Sequence, residues 1–291
     1  MTSPGRTVLV TGAAKGIGRA CALDLDRRGF RVYAGVRRTQ DGEALQADSA
    51  GRIVPVPLDV TDGGQVAAAG RLLTEAAGEA GLWGLVNNAG AVYAGPLEHL
   101  PVGALRDQLE VNVVGTLALT QACLPALRRA RGRVVNVSSV NGRIVSPFSG
   151  AYAASKFALE AVSDALRREL GRARAGVRVI VIQPGAVDTP LWAVSRERAL
   201  ALAAQYPPEA HAQYPWLVHG FQKVRVPRQA VPPARVAAVI RRALTAWWPR
   251  ARYRVGWDAR VGVVAAWLLP DGLLDALLNG RLRRFGSGSR R

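Results

Sequence analysis

The chain has 291 residues, of which 49% are hydrophobic and 21% are charged, and its formal net charge is +18 at pH 7. This balance is typical of a soluble globular protein and excludes a disordered chain. Cys21 and Cys123 are too few for a disulfide framework, and no cluster of Cys and His has the spacing of a metal site. We therefore expect a reduced, cytoplasmic protein without a bound metal ion.

The positive charge alone does not indicate a nucleic-acid-binding protein. The basic residues are spread along the chain, and aromatic residues do not alternate with them. The N-terminal residues show no signal-peptide pattern, and the apolar run at 261–270 is shorter than the roughly 20 residues that span a bilayer. We predict neither a nucleic-acid partner nor a transmembrane helix.

Short β-branched runs alternate with helical patterns through the first two thirds of the chain. The predicted strands are “TVLVTG” (7–12), “FRVYAGVR” (30–37), “RIVPVPLDV” (52–60), “WGLVNNAG” (83–90), “GRVVNVSS” (132–139) and “VRVIVIQPG” (177–185). Apolar strands separated by helices predict a doubly wound α/β fold, with a parallel sheet covered on both faces. The carboxyl ends of these strands then share one edge, where ligands bind in such folds.

A glycine-rich turn follows the first strand and leads into a helix, in the segment “VLVTGAAKGIGRA”. Gly12, Gly16 and Gly18 would let the backbone approach a pyrophosphate, and the helix N-terminus would supply amide groups to bind it. A tight turn without a ligand is the alternative when the motif is considered alone. The position directly after the first strand favours a dinucleotide site.

The end of the second strand indicates which dinucleotide is bound. A site for NAD usually has an acidic residue there, but this chain has Arg37 and Arg38 and no acid before Asp41. Arg37, together with Lys15 in the glycine turn, is suited to bind the 2′-phosphate of NADP. Arg38 is equally well explained as one more surface arginine. We predict NADP(H) as the cofactor.

Tyr152 and Lys156 are four residues apart in a predicted helix, so their side chains share one face. A cation near a phenol favours the phenolate, and we expect Lys156 to lower the pKa of Tyr152. Ser139, at the end of the fifth strand, would donate a hydrogen bond to a substrate oxygen. The three residues suit hydride transfer between a nicotinamide and a carbonyl group. Considered alone, a Tyr and a Lys at this spacing are also typical of an ordinary helix surface.

With these motifs in this order, the chain resembles the short-chain dehydrogenase/reductase family over roughly residues 6–190. The resemblance is carried by “TGAAKGIG”, “DV” at 59–60, “NNAG” at 87–90, “LEVNVVGT”, the Ser–Tyr–Lys set and “PGAVDTP”. It implies a single Rossmann-like domain with seven parallel strands. It also implies four catalytic residues, which are Asn112, Ser139, Tyr152 and Lys156. Ser139 is preferred to its neighbour Ser138 because of the family's spacing to the tyrosine.

The resemblance further implies a set of cofactor-binding residues at the strand ends and on the catalytic helix. They are Gly12, Ala14, Lys15, Gly16, Ile17, Gly18, Arg37, Asp59, Val60, Asn88, Ala89, Gly90, Tyr152, Lys156, Pro184, Gly185, Val187 and Thr189. Among them, Asp59 and Val60 would meet the adenine, and the residues from Pro184 to Thr189 would border the nicotinamide. The backbone of Asn112 would position a water molecule in a proton relay.

From about residue 190 to 233 the pattern is loose and rich in proline, and the resemblance implies a lid over the substrate there. Its large apolar side chains would line an apolar pocket, or would simply pack against one another. They are Leu191, Trp192, Tyr206, Tyr214, Trp216, Leu217 and Phe221. His99, His211 and His219 are predicted to be surface or lid residues without a catalytic role.

Within the family, “LWGLVNNAG”, “SKFALEAVSDALRREL” and “RYRVGWDARV” resemble the retinol and hydroxysteroid dehydrogenase branch. This implies a small apolar carbonyl or alcohol substrate, such as a steroid, a retinoid or another lipid. Family members are usually homodimers or homotetramers. A catalytically silent NADP(H)-binding sensor is the alternative function, and the presence of all four catalytic residues favours the enzyme.

Residues 1–250 are predicted to form the cofactor-binding catalytic domain. Residues 251–291 would add a last strand, “RYRVGWD”, an amphipathic helix and a basic tail to the same domain. The helix has Asp271 as its predicted N-cap and a leucine-rich face, followed by a cluster of arginines. These residues are Leu273, Leu274, Leu277, Leu278, Leu282, Arg281, Arg283 and Arg284. The helix would pack on its own domain or on a partner subunit, or make a weak peripheral membrane contact.

Overall fold

The computed structural model describes residues 5–172 and 176–286. Its centre is a parallel sheet of seven strands in the order β3-β2-β1-β4-β5-β6-β7. The strands are β1 (Thr7–Thr11), β2 (Arg31–Val36), β3 (Ile53–Pro57), β4 (Leu82–Asn87), β5 (Arg133–Val137), β6 (Arg178–Pro184) and β7 (Arg252–Val255). The predicted doubly wound α/β fold is confirmed.

Helices cover both faces of this sheet. In the described part of the chain they are α1 (Gly16–Arg27), α2 (Thr39–Ala47), α3 (Gly63–Ala76), α4 (Val102–Leu109), α5 (Gly115–Arg129), α6 (Gly150–Arg172), α7 (Leu191–Ala203), α8 (Pro208–Gln213), α9 (Leu217–Gln222), α10 (Pro233–Thr245), α11 (Trp257–Leu268) and α12 (Asp271–Gly286). Side chains alternate across β1, because Val8 and Val10 pack towards α1 and α10 whereas Leu9 packs towards α3 and α5. Strands buried on both faces explain the continuous apolar runs in the sequence.

The predicted strands extend one to three residues past the observed ends. The third was predicted over 52–60 but β3 ends at Pro57, and the fourth over 83–90 but β4 ends at Asn87. The residues beyond the ladder are the ones that the sequence marks as functional. They leave the sheet at its carboxyl edge and form the loops of the candidate site.

A π-helical turn, Glu110–Val114, joins α4 to α5. By length and composition alone, the stretch Val102–Arg129 is apolar enough to cross a membrane. Its Leu119, Cys123 and Leu127 are fully buried in the hydrophobic cluster on one side of the sheet. These contacts identify it as a core helix of the domain.

A buried thread of polar side chains connects the middle of the sheet to two helices. The amide nitrogen of Asn87 donates to the side-chain oxygens of Asn136 at 2.8 Å and Thr120 at 3.0 Å. The amide nitrogen of Asn136 donates in turn to the Ser163 hydroxyl at 2.8 Å. Asn87 on β4 and Asn136 on β5 are direct partners in the strand register.

The segment after Thr189, expected to be a loose loop, forms three helices. Prolines stand at their starts: Pro190 precedes α7, Pro207 and Pro208 begin α8, and Pro215 lies two residues before α9. Proline fits the first position of a helix, where no partner exists for its missing N–H. The prolines therefore mark where these helices begin and do not prevent them.

The C-terminal helices differ from the prediction in detail. Asp271 is the first residue of α12 and not its N-cap, since the Leu273 and Leu274 amides donate to the carbonyl of Pro270. The side chains of Leu273 and Leu277 are 51% and 54% exposed. Of the remaining predicted features, the side chains of Arg281, Leu282, Arg283 and Arg284 and the tail at 287–291 lie outside what the structure describes.

Candidate functional site

The glycine turn places the N-terminus of α1 at the carboxyl edge of β1. Gly12 and Gly16 have φ angles of 62° and 55°, which favour glycine. A Cβ on Gly18 would lie 2.2 Å from the carbonyl oxygen of Gly12, so only glycine lets helix and strand approach this closely. Lys15, the N-cap, makes no side-chain capping bond, and the first turn of α1 contains no acid. This helix end is suited to bind an anion.

Thr11 ties this turn to the “NNAG” segment and was missed by the sequence analysis. Its hydroxyl oxygen accepts hydrogen bonds from the backbone N–H groups of Asn88 and Ala89, each at 2.9 Å. The side-chain amide of Asn88 donates back to the Thr11 carbonyl at 2.9 Å. These hydrogen bonds join the ends of β1 and β4 and thereby hold Gly12 and Ala89 in contact.

Positive charge gathers beside the turn, at the end of β2. Arg38 is held by Asp41, with its Nε 2.9 Å from a carboxylate oxygen. The hydrogen bond from Arg38 lowers the pKa of Asp41, and the charges of Lys15 and Arg37 lower it further. Lys15 and Arg37 are exposed and form no ion pair among the side chains that the structure describes. The open helix end, the glycines and these two cations fit a phosphorylated dinucleotide.

Asp59 and Val60 follow β3 on the same edge. A carboxylate oxygen of Asp59 accepts from the backbone N–H and the hydroxyl of Thr61, at 3.0 and 2.8 Å. Val60 is buried, and a Cβ on Gly115 would lie 2.4 Å from its carbonyl oxygen. These contacts fix the pair at the carboxyl edge of the sheet, the edge at which the glycine turn also lies.

Ser139, Tyr152 and Lys156 come together where β5 meets α6. The Lys156 ammonium donates to the carbonyl of Val137 at 2.9 Å and lies 5.7 Å from the centre of the Tyr152 ring. A Cβ on Gly90 would lie 4.0 Å from the Lys156 nitrogen, so the “NNAG” segment also reaches this group. Ser139 and Lys156 are 8% and 5% exposed.

The protonation of this group differs from the expectation. Burial raises the pKa of Tyr152, and the nearby Ser139 hydroxyl opposes the rise only in part. Burial also lowers the pKa of Lys156 to about 8, against the opposing charge of Glu160. The expected net lowering of the Tyr152 pKa is therefore wrong for this structure, because burial penalises the phenolate more than its neighbours stabilise it. Tyr152 is a neutral phenol at neutral pH.

Asn112 lies in the π-helical turn and is 1% exposed. Its side-chain amide donates to the carbonyl of Ala91 at 3.1 Å and to the Ser155 hydroxyl at 2.9 Å, and its oxygen accepts from the Ala91 N–H at 2.9 Å. Because the side chain of Asn112 is already hydrogen-bonded within the protein, its backbone is the part left for the predicted role of positioning a water molecule. Turns of this kind interrupt the regular pairing of helix carbonyl groups.

Pro184 is the last residue of β6, and the residues from Gly185 to Thr189 lie in the loop between β6 and α7. The Val231 N–H donates to the Ala186 carbonyl at 2.9 Å, and the Trp192 indole donates to the Val187 carbonyl at 2.9 Å. The loop ends against the glycine turn, since a Cβ on Gly16 would lie 3.1 Å from the Thr189 methyl group. The structure therefore brings all the predicted site segments to one edge of the sheet.

The lid helices bury several of the side chains that were expected to line a pocket. Tyr206, Leu217 and Phe221 pack into a small hydrophobic cluster, with Tyr214 at its margin. These side chains therefore pack against one another, which was the alternative to lining a substrate pocket. Of the remaining candidates, Leu191 is exposed. His99 contacts these lid helices, because its Nε2 lies 2.6 Å from the side-chain oxygen of Gln213 in α8.

Comparison with known proteins gives relatives over nearly the whole chain. Residues 6–199 match the family described as short chain dehydrogenase. Human retinol dehydrogenase 5 is 40% identical over 279 residues, which cover 93% of this chain and 87% of that protein. The 17-beta-hydroxysteroid dehydrogenase type 6 of Bos taurus is 37% identical over 278 residues, covering 93% of this chain and 87% of that protein.

Solved structures match the fold along its full length. A short-chain dehydrogenase from Streptomyces avermitilis superposes with a TM-score of 0.72 at 30% identity, covering 100% of this chain and 99% of that one. A short-chain dehydrogenase from Burkholderia cenocepacia J2315, solved in complex with NADP, superposes with a TM-score of 0.74 at 29% identity. The match covers 96% of this chain and 99% of that one.

Proposed function

Since this chain belongs to the short-chain dehydrogenase family, in the branch of the retinol and hydroxysteroid dehydrogenases, we propose that it interconverts an apolar carbonyl compound and its alcohol with NADP(H). As a member of that family it is an oxidoreductase acting on CH–OH groups. The observation that carries the finer proposal is the group formed by Ser139, Tyr152 and Lys156 beside the glycine turn.

Each residue of this group has a defined task in the reductive direction. NADPH, when bound, supplies a hydride to the carbonyl carbon. The Ser139 hydroxyl donates a hydrogen bond to the carbonyl oxygen, on which negative charge develops. Tyr152 then gives its phenolic proton to that oxygen, which completes the alcohol, and the Lys156 ammonium stabilises the phenolate that remains.

The protonation states in the structure support reduction. A raised pKa keeps the proton on Tyr152 throughout the neutral range, which is the state that an acid needs. Lys156, with a pKa of about 8, still carries its charge at pH 7. In the oxidative direction Tyr152 must first lose its proton, and burial makes that step costly.

The preference for NADP(H) is supported by Lys15 and Arg37. Both cations lie beside the glycine turn, and Asp41, the acid nearest to them, is already paired with Arg38. The Burkholderia cenocepacia neighbour was solved with NADP. An apolar substrate is supported by the relatives named for retinol and hydroxysteroids and by the aromatic lid.

For partners and location we keep the expectations from the sequence as proposals. We infer a cytoplasmic homodimer or homotetramer in which α12 packs on its own domain or on a partner subunit, or makes a weak membrane contact. The exposed faces of Leu273 and Leu277 support this contact, because apolar side chains of an amphipathic helix enter a lipid interface. Co-sedimentation with anionic vesicles, compared between the wild type and a Leu273→Ser, Leu277→Ser variant, tests it, and equal sedimentation of the two overturns it.

The function is tested by NADPH consumption with a panel of apolar ketones and aldehydes, repeated with NADH. We expect turnover that is faster with NADPH, and a loss of roughly 100- to 10,000-fold in Tyr152→Phe because its proton donor is gone. Tyr253→Phe, which removes a phenol hydroxyl on β7, is the matched control. Unchanged turnover in Tyr152→Phe contradicts the acid role. NADPH binding by the wild type with no turnover across the panel favours the sensor.

A further inference from the structure

The turn between β7 and α11 is bonded to the loop that follows β6. Asp258, the second residue of α11, accepts a hydrogen bond from the backbone N–H of Ala186, with its Oδ2 at 2.6 Å. The preceding N–H of the loop, that of Gly185, donates to the carbonyl of Val255 at 2.9 Å. The end of β7 and the start of α11 thus bind two successive amides of the loop.

Two glycines make room for the Asp258 carboxylate. A Cβ on Gly185 would lie 2.0 Å from its Oδ1, so the carboxylate packs directly against the loop backbone. A Cβ on Gly256 would lie 2.5 Å from the same oxygen, and Gly256 has a φ of 103°, which favours glycine. Both the loop and the β7 turn are therefore shaped around this one carboxylate.

The loop is held from its other side by Val231. The Val231 N–H donates to the Ala186 carbonyl at 2.9 Å, and the Asp188 N–H donates to the Val231 carbonyl at 3.0 Å. Asp258 itself forms no ion pair among the side chains that the structure describes. Its charge therefore serves the hydrogen bond to the loop, and such bonds are roughly twice as strong as neutral ones.

We propose that Asp258 is a positioning residue, which fixes the loop from Gly185 to Thr189 in the place where it would border the nicotinamide. The inference rests on the proposed function, because only a bound nicotinamide gives the position of this loop a catalytic consequence. Asp258 acts through the Ala186 amide, so its effect falls on the nicotinamide half of the cofactor. The adenosine half, held at the glycine turn and β3, is left unchanged.

The test compares Asp258→Ala and Asp258→Asn with Asp275→Ala, which removes an exposed carboxylate from α12. We expect Asp258→Ala to weaken NADPH binding and lower kcat by a combined factor of roughly 10 to 100, the value of one charged hydrogen bond. Binding of 2′,5′-ADP, which lacks the nicotinamide, should be unchanged. Asp258→Asn keeps an acceptor oxygen and should recover most of the loss.

In this comparison of variants, two results overturn the proposal. One is an equal weakening of NADPH and 2′,5′-ADP binding in Asp258→Ala, which would indicate a general loss of structure. The other is an Asp258→Asn variant as poor as Asp258→Ala. If Asp258→Ala does not fold, Asp258→Ser replaces it, because its hydroxyl is too short to reach the Ala186 amide.

Hydrogen exchange of the Ala186 amide separates this inference from the proposed function, since it needs neither cofactor nor substrate. We expect faster exchange at Ala186 in Asp258→Ala than in the wild type and Asp275→Ala. If exchange at Ala186 is faster in Asp258→Ala but the protein binds no NADPH, the contact between Asp258 and Ala186 is supported and the proposed function is refuted. Unchanged exchange at Ala186 in a protein that turns over NADPH would refute the contact alone.

Discussion

The two sides of the candidate site are built by different means. On the cofactor side, Gly12, Gly18 and Thr11 hold the strand ends together through backbone groups and partly buried hydrogen bonds. On the lid side, Tyr206 and Phe221 hold three short helices together by packing against each other. Backbone contacts leave no room for an added atom, whereas packed side chains can shift. We therefore expect the cofactor side to be far less tolerant of substitution than the lid.

The largest effect is expected for Gly18→Ala, which would break the cofactor side. The added Cβ would lie 2.2 Å from the Gly12 carbonyl oxygen, and a backbone atom cannot move away cheaply. NADPH binding should fall below detection, and the free energy of unfolding should drop by roughly 1–3 kcal/mol. Fluorescence titration and chemical denaturation measure the two.

The matched control for that variant is Gly103→Ala in α4, where an added Cβ meets nothing within 4 Å. Because alanine has a higher helix propensity than glycine, this substitution should stabilise the protein by up to about 1 kcal/mol. NADPH binding that survives in Gly18→Ala would show that the turn can relax, and would remove the contrast drawn above.

A smaller effect is expected for Arg37→Ser, which sharpens the comparison within the cofactor side. Loss of one charged hydrogen bond to a 2′-phosphate should reduce the preference for NADPH over NADH roughly 10- to 100-fold. Ratios of kcat/KM for the two cofactors measure it. Arg71→Ser, which removes an exposed arginine from α3, is the control and should change the ratio little. Equal effects of the two variants would contradict the role given to Arg37.

The pH dependence of reduction is expected to reflect Lys156. Its pKa is lowered to about 8, so the ammonium is present below that pH and is lost as the pH rises through it. We expect kcat/KM to fall about tenfold per pH unit above the pKa of this group. Lys156→Arg stays charged, so its residual activity should lack this decline. A decline that persists unchanged in Lys156→Arg would assign it to another group.

The smallest effect is expected on the lid side, for Tyr206→Phe. The Tyr206 hydroxyl is buried and has no hydrogen-bond partner among the described residues. Its removal should raise the free energy of unfolding by up to about 1 kcal/mol, because an unpaired buried polar group is unfavourable. NADPH binding should not change. Denaturation of the variant and the wild type under one condition measures the difference, and a destabilised variant would mean that the hydroxyl is paired.

Features that the backbone dictates could be predicted from the sequence. The glycines of the first turn, the alternation of strands and helices and the polar residues at strand ends follow from local sterics and hydrophobic spacing. The segments that carry Ser139, Tyr152 and Lys156 fall at one edge because parallel strands with helical crossovers must end there. The fold class needed no more information than this.

Features that depend on distant partners could not be predicted. Thr11 meets Asn88 across 77 positions, and Ala186 meets Asp258 across 72, and neither pair has a local pattern. The pKa of Tyr152 was misjudged because the spacing to Lys156 indicates a nearby charge but not the burial that outweighs it. The lid helices were missed because their prolines resemble loop residues unless the helix starts are known.

The buried thread of Asn87, Asn136 and Ser163 has a consequence for how the sheet is assembled. Valines and leucines of β4 and β5 would be buried almost as well if one strand slipped along the other. A slip of one residue turns the side chains of the slipped strand to the opposite face, so the amides of Asn87 and Asn136 would lie on different faces and could no longer pair. Each unpaired amide would then cost about 1–3 kcal/mol. The thread therefore selects one strand alignment among several that hydrophobic burial alone would accept.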